Sequence, residues 1–406
     1  MTSNLIKFNP LDPSFRIDPY PTYHRLRYED PIHRHFMGSW MITRYADAVK
    51  VLQDSRFQSY SLPQRLAAKN EYLASQNQNL DALVETANNM LLYLEPPDHT
   101  RMRSLVSKAF SPKIVKQLRP QVQQMVDGIL ELAKVKGSMD IVGDLARPLP
   151  IRVISQLLGI PSDLQQQIGH WTDELATIFD PPNSLETLTR INQIIPEFAE
   201  CLSRLIAQKT KQPQADLMSA LITARDRDDK LSDRELISVS MLLFGAGEET
   251  TSNSIGNGVL ALLQHPEQKL SLQQNPEAIA TGVEELLRYD SPVQGITRIA
   301  KEDVDLGKTQ ITKGDRVVVY LGAANRDPLQ FKDPDKLDLT RNPNPHLAFA
   351  DGIHRCLGSA LAKMEGQIAI ASLIRQFPNL QLQPGHTLEW RKNIILRGLK
   401  ALPVTF

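Results

Sequence analysis

The chain has 406 residues, with 46 basic and 46 acidic side chains and therefore a formal net charge of zero; 41% of residues are hydrophobic and 23% charged. That balance belongs to a globular protein long enough to bury a large core, and it gives no reason to expect nucleic acid as a partner. Two cysteines far apart, Cys201 and Cys356, exclude a disulfide scaffold and a cysteine-rich zinc site.

No basic segment followed by an apolar stretch opens the chain, and no apolar run approaches the ~18 residues that span a bilayer. We expect a cytoplasmic protein that is not membrane-bound. Pro21–Tyr28 reads as a short helix, and Ile32–Ile42 alternates around Gly38 as a hairpin. From Leu62 to about Ala280 the pattern is mainly helical, as in Val122, Met125, Val126, Ile129 and Leu130. Asp290-Ser291-Pro292 stops a helix. Short β-like stretches follow at Gly295–Ala300, Val304–Ile311 and Arg316–Leu321. The stretch Asp327–Pro345 is proline-rich and irregular, a length that in a compact domain usually serves function. A helix over Ser359–Phe377 and a β-like Leu380–Val404 complete the chain. The expectation is a mostly α fold with a smaller β region, in a single domain over 1–406. The β-rich part comes from the N-terminus, 290–325 and 380–406.

The sharpest feature is Phe349-Ala350-Asp351-Gly352-Ile353-His354-Arg355-Cys356-Leu357-Gly358, just before a helix. A cysteine there has free N–H groups and the positive end of the helix dipole beside it, and both favour thiolate. Gly352 and Gly358 leave room for backbone to lie against a flat partner. An isolated cysteine is more often a buried structural residue. A cysteine–histidine hydrolase with His354 is a third reading, but nothing marks an orienting Asn or Asp.

Three further constellations stand out. In Phe244-Gly245-Ala246-Gly247-Glu248-Glu249-Thr250-Thr251, the positions Val239, Leu243, Ala246 and Thr250 share one helical face. Ala246 and Gly247 leave room for something to approach, and an acid beside a hydroxyl can relay protons into a dry pocket. The plainer reading is a helix loosened by glycines, with Glu248 and Glu249 solvated. Glu285 and Arg288 lie three apart on a helix, which in isolation is a weak exposed pair. His99 and Arg103 lie four apart after a helix start at Pro97-Asp98; they read as an anion clamp or as an exposed basic face.

The cysteine stretch resembles the haem-binding signature of the cytochrome P450 family, F-G-x-G-x-H-x-C-x-G, with Ala350 in place of Gly. The other constellations fall in that family's order. Ala246–Thr251 resembles its distal helix, Glu285–Arg288 its E-x-x-R, and His99–Arg103 its propionate clamp. Phe331–Arg341 resembles F-x-x-P-x-x-F-D-x-x-R, with Leu337 in place of Phe.

The resemblance implies a haem-thiolate monooxygenase that binds haem b. Cys356 would be the iron ligand. His99, Arg103, Ala246, Arg298, Phe349, Gly352, His354 and Gly358 would contact the cofactor. Glu249 and Thr250 would be the catalytic acid–alcohol pair. Glu285, Arg288 and Arg341 would support the cysteine loop. Pocket positions implied in the same way are Leu91, Leu242, Leu243, Ala246, Val293, Ile296 and Ile395, mainly aliphatic, which suits an apolar organic substrate.

Other partners implied are O2 and a separate ferredoxin-type donor with its reductase, acting on a monomer. Arg101, Arg103, Lys108, Lys113, Lys116 and Arg119 form an acid-free stretch before Met125 that, with Arg355, would dock an acidic donor, although a solvated basic helix fits equally. A peroxide-driven oxygenase and a non-catalytic haem sensor are the alternatives. His170 and Trp171 fall in the region that would cover the pocket.

Overall fold

The structure is a computed structural model that describes residues 8–59, 62–110, 112–179, 183–226 and 229–406. In chain order the principal helices are α1 (Tyr20–Glu29), α2 (Tyr45–Gln53), α3 (Asp98–Ala109), α4 (Pro112–Lys136), α5 (Pro148–Leu158), α6 (Gln165–Ala176), α7 (Leu185–Lys211), α8 (Asp233–Gln264), α9 (Ile279–Tyr289) and α10 (Ser359–Gln376). The principal strands are β1 (Ile32–Arg34), β2 (Trp40–Ile42), β3 (Phe57–Ser59), β4 (Ser138–Asp140), β5 (Ile296–Ala300), β6 (Val304–Leu306), β7 (Thr309–Ile311), β8 (Arg316–Val319), β9 (Gln381–Leu382) and β10 (Pro403–Thr405).

The chain forms two compact units. One contains the residues up to Gln58 with Gln123–Ala146 and Thr250–Phe406; the other contains Ser59–Val122 and Arg147–Glu249. The division falls inside α8, between Glu249 and Thr250.

The first unit holds a five-stranded sheet in the order β1-β2-β8-β5-β3. β1 and β2 form the expected hairpin, with His33 opposite Met41. β8 joins β2 in parallel and β5 antiparallel, placing Arg298 opposite Val317. One face buries Ile42, Val51, Leu52, Val317, Val319 and Leu321, so a sheet with few residues per strand still closes a continuous apolar core. The expected β-like Leu380–Val404 is mostly irregular. Only β9 and β10 are strands, held against β4, with bridges at Val293–Leu396 and Trp390–Leu399. The buried Leu396, Leu399 and Leu402 recur every third residue, not every second as a sustained half-buried strand requires.

The second unit is helical. The segment from Leu62 to Leu92 opens the expected helical region and contains helices Leu62–Ala74 and Asp81–Asn88. Asn192 of α7 fixes the second of these, accepting the Leu83 N–H at 3.0 Å. Prolines mark helix starts rather than gaps at Pro112 and Pro148, where a missing N–H costs nothing.

Candidate active site

The cysteine loop is a compact turn fixed by its own backbone. The Cys356 N–H donates to the Phe349 carbonyl at 2.9 Å, and the Arg355 N–H to Gly352 at 3.1 Å. A short 3₁₀ turn covers Gly352–His354, and α10 starts three residues after the cysteine. Cys356 is exposed, whereas Cys201 is buried. The two glycines do different things. At Gly352 φ is +73°, and an added Cβ would lie 2.1 Å from the Leu52 carbonyl, so this glycine serves close approach to α2. Gly358 faces open space, the clearance expected of both. Gln53 braces the turn by donating to Asp351 at 2.8 Å. Ala350 has φ +57°, so its methyl group costs backbone strain of about 1–2 kcal/mol at a left-handed position rather than a clash.

Behind the loop, Glu285 and Arg288 are fully buried, so the reading as an exposed pair fails. Arg288 donates to both Glu285 carboxylate oxygens, at 2.7 and 2.8 Å, and to the carbonyls of Asn325 and Pro334. Arg341 Nε reaches the same carboxylate at 3.1 Å. The Asp338 N–H and Asn344 Nδ2 also donate to it. One carboxylate therefore gathers α9 and the irregular stretch into a single network, with its charge matched by cations and its lone pairs filled. Leu337 is buried where the family pattern has Phe, so the position keeps its apolar role.

Two supports escaped the sequence reading. Asn325 accepts the Leu347 N–H and donates to Ser291. Glu284 accepts from Lys363 and pairs with His346, which holds its carboxyl down at about 2 against the burial that opposes it. Neither has a spacing that sequence alone would single out. A third residue, Glu365 on α10, is buried with Oε2 lacking a hydrogen-bond partner, and burial pushes its carboxyl up to about 8. Arg298 is buried on β5, within this unit's sheet, and His354 is half-buried in the cysteine turn.

Along α8, Ala246 is exposed between buried Gly245 and Glu248, the open position expected on the apolar face. A Cβ at Gly247 would sit in ordinary contact with Ile154 of α5 at 3.5 Å, whereas one at Gly245 would crowd Phe179 at 2.9 Å. Glu248 is not solvated. It is buried and paired with Arg147 at 3.6 Å. Glu249 and Thr250 are half-buried at the next two positions.

In the second unit His99 is buried and Arg103 half-buried on one face of α3. Arg101 of that helix pairs with Glu235 and Asp229, so part of the basic stretch is neutralised. Lys108, Lys116 and Arg119 are exposed, as is Arg355 of the first unit; the Lys113 side chain lies outside the described residues.

Of the positions expected to line a pocket, Leu91 is buried, and Leu242 and Leu243 are half-buried on α8. In the first unit two of the segments expected to line it lie together. The Gln294 N–H donates to the Ile395 carbonyl at 2.7 Å, and Val293 bridges Leu396. Val293 and Ile296 also pack on the sheet's core, so they serve the fold whatever else they touch.

The family model for cytochrome P450 matches residues 59–396. The chain belongs to the cytochrome P450 family. It is 39% identical to the polyketide biosynthesis cytochrome P450 PksS of Bacillus subtilis (strain 168), over 98% of each chain. It is 40% identical to the cytochrome P450 monooxygenase PikC of Streptomyces venezuelae, over 98% of this chain and 94% of that one. Among solved structures it is similar to P450BioI in complex with a hexadec-9Z-enoic acid ligated acyl carrier protein. The TM-score is 0.90 and the identity 38%, covering 97% of this chain and 99% of that one. This P450 is therefore a haem-thiolate monooxygenase that uses haem b and O2 on an organic substrate.

The residues present fit that cofactor. The Cys356 side chain is exposed ahead of a helix and in no disulfide, the glycine two residues on faces open space, and the small Ala246 is exposed on α8.

Proposed function

We propose that Cys356 ligates the haem iron of this P450, and that residues 1–406 form one domain built around that group. Cys356, the exposed one of the two cysteines and three residues ahead of α10, carries the assignment. His99, Arg103, Arg298 and His354 supply the donors for the haem propionates. Phe349, Gly352 and Gly358 shape the cysteine side, and Ala246 gives clearance on the other.

Bound haem supplies O2 activation and oxygen transfer to carbon. The chain's own task is to keep the pocket dry and to bring protons in at the right place. Glu249 and Thr250 do the second, the carboxylate exchanging protons with the outside and the hydroxyl handing them on. Thr250→Ala is expected to sustain NADH consumption while several-fold more electrons end as peroxide. Tight coupling in that variant rejects the relay.

Leu91, Leu242, Leu243, Ala246, Val293, Ile296 and Ile395 give the pocket an aliphatic lining for an apolar substrate, hydroxylated or epoxidised. The relatives' names, with a polyketide pathway and a fatty acyl carrier protein among them, support long aliphatic acyl or polyketide substrates. The same acid–alcohol pair favours O2 over peroxide as oxidant and an enzyme over a sensor. Electrons arrive from a separate ferredoxin-type protein and its reductase. Exposed Lys116 and Arg119 suit an acidic donor. Reversing both charges is expected to slow reduction by a ferredoxin severalfold at low salt and little at high salt. An unchanged low-salt rate removes that docking site. The protein is proposed to act as a cytoplasmic monomer; no helix among the described residues is long and apolar enough to cross a membrane.

The deciding experiment is the spectrum of the dithionite-reduced protein with carbon monoxide. A strongly red-shifted Soret band is expected. A protein that stays colourless after haem reconstitution overturns the assignment.

A further inference from the structure

The segment of α8 just before the acid–alcohol pair is held at three successive points by the second unit. Phe244 packs 6.0 Å from the ring of Phe198 on α7, and Phe198 stacks on Trp171 of α6 at 5.1 Å and 26°. Gly245 has no side chain because Phe179 and Leu175, at and just beyond the end of α6, fill that space; a Cβ would lie 2.9 Å and 3.6 Å from them. Glu248, one turn on from Phe244, is paired with Arg147 at the start of α5. The Arg147 guanidinium also holds Asp173 of α6 at 2.8 Å. Of these three side chains Glu248 is nearly buried, at 5% exposed, while Arg147 and Asp173 are 40% and 45% exposed.

All three contacts lead from one helix, α6, to one turn of α8. A buried carboxylate has to be matched by a cation, so Glu248 keeps Arg147 in place whatever Asp173 does. The exposed Asp173 end of the chain is the weaker link and the one that solvent reaches. Glu249 and Thr250 are the next residues on a rigid helix, so the turn that sets Glu248 also sets them.

We propose that Arg147 is a positioning residue for the proton-delivering pair: through Asp173–Arg147–Glu248 the placement of α6 fixes the turn of α8 that carries Glu249 and Thr250. The inference rests on the reading of those two residues as the relay. It gives Glu248 a part that the acid–alcohol motif does not assign to it.

The test uses the holoenzyme and follows amide hydrogen exchange in residues 165–176 and 244–252. Asp173→Asn acts on the exposed α6 end and is linked to Glu248 of α8 through Arg147. It is expected to speed exchange about threefold in both segments. Arg147→Ala is expected to do the same or more, and Arg147→Lys to recover part of the protection. Asp173→Asn is expected to add nothing in the Arg147→Ala background, because both act on one chain. Trp171→Ala, which breaks the aromatic contact instead, is expected to add to either.

The second measurement is the share of NADH electrons released as peroxide rather than water in substrate-free turnover with a surrogate ferredoxin and reductase. Asp173→Asn and Arg147→Ala are expected to raise it together. Exchange that rises in 165–176 alone, effects that sum in the double variant, or an unchanged peroxide share overturns the proposal. A purely structural pair would loosen the whole protein evenly, with no selectivity for 244–252. If Thr250→Ala proves tightly coupled while the exchange results hold, the relay reading fails and the mechanical link stands.

Discussion

Replacing Arg288 with alanine is expected to destabilise the protein by about 3–5 kcal/mol, the range for removing one member of a buried ion pair. The side chain is fully buried and holds both oxygens of Glu285 together with the carbonyls of Asn325 and Pro334. Its loss leaves Arg341 as the one cation on Glu285 and strips a donor from the buried Asn325 carbonyl and the part-buried Pro334 carbonyl, with a desolvation cost. Because Asn325 also holds Leu347, just before the cysteine turn, the damage should reach the haem side. The measurement is the urea midpoint with the fraction of haem retained. Arg288→Lys keeps the charge but cannot make the two-pronged contact, and is expected to fall between the two. A midpoint for the alanine variant within error of the wild type removes the supporting role of this network.

Replacing Cys356 with serine is expected to abolish oxygenase turnover and the red-shifted carbon monoxide band, while leaving the unfolding midpoint near that of the wild type. The side chain is exposed, so little packing is lost. The turn is held by backbone bonds that do not involve sulfur, from Cys356 N–H to Phe349 and from Arg355 N–H to Gly352. What disappears is the thiolate, which a hydroxyl at neutral pH does not replace as an electron-rich ligand. Persistence of the band in this variant moves the ligand elsewhere. The two variants separate the roles of their regions: one loses the fold and hence the site, the other the chemistry with the fold intact.

The cysteine turn was legible because its constraints are local. A cysteine, a helix start and glycines at set offsets act within ten residues, and the structure keeps each in place. Even so, the reason for Gly352 was not local: the Leu52 carbonyl that forbids a side chain there lies 300 positions away. Glu248 shows the same limit. Beside Glu249 in a helical pattern it has no feature to distinguish it from a solvated acid, and only the approach of Arg147 from another helix makes it a buried, paired carboxylate. The reverse holds at Leu380–Val404, expected to be β-like: its apolar residues are buried, but most of its backbone has no ladder partner, and composition does not supply one.

By itself the sequence determined the helical character of the middle of the chain, the β1–β2 hairpin, the helix stop at Asp290-Ser291-Pro292 and the cysteine turn, because periodicity, proline and glycine act over a few residues. Its motifs also determined the family. Tertiary structure alone decided that Glu285 and Arg288 are buried rather than solvated, that Gly245 makes way for Phe179, and that Arg147 joins α6 to α8. Those outcomes depend on which distant segment arrives at a given side chain. Burial and charge pairing are properties of the arrival, and residue type and spacing leave them open.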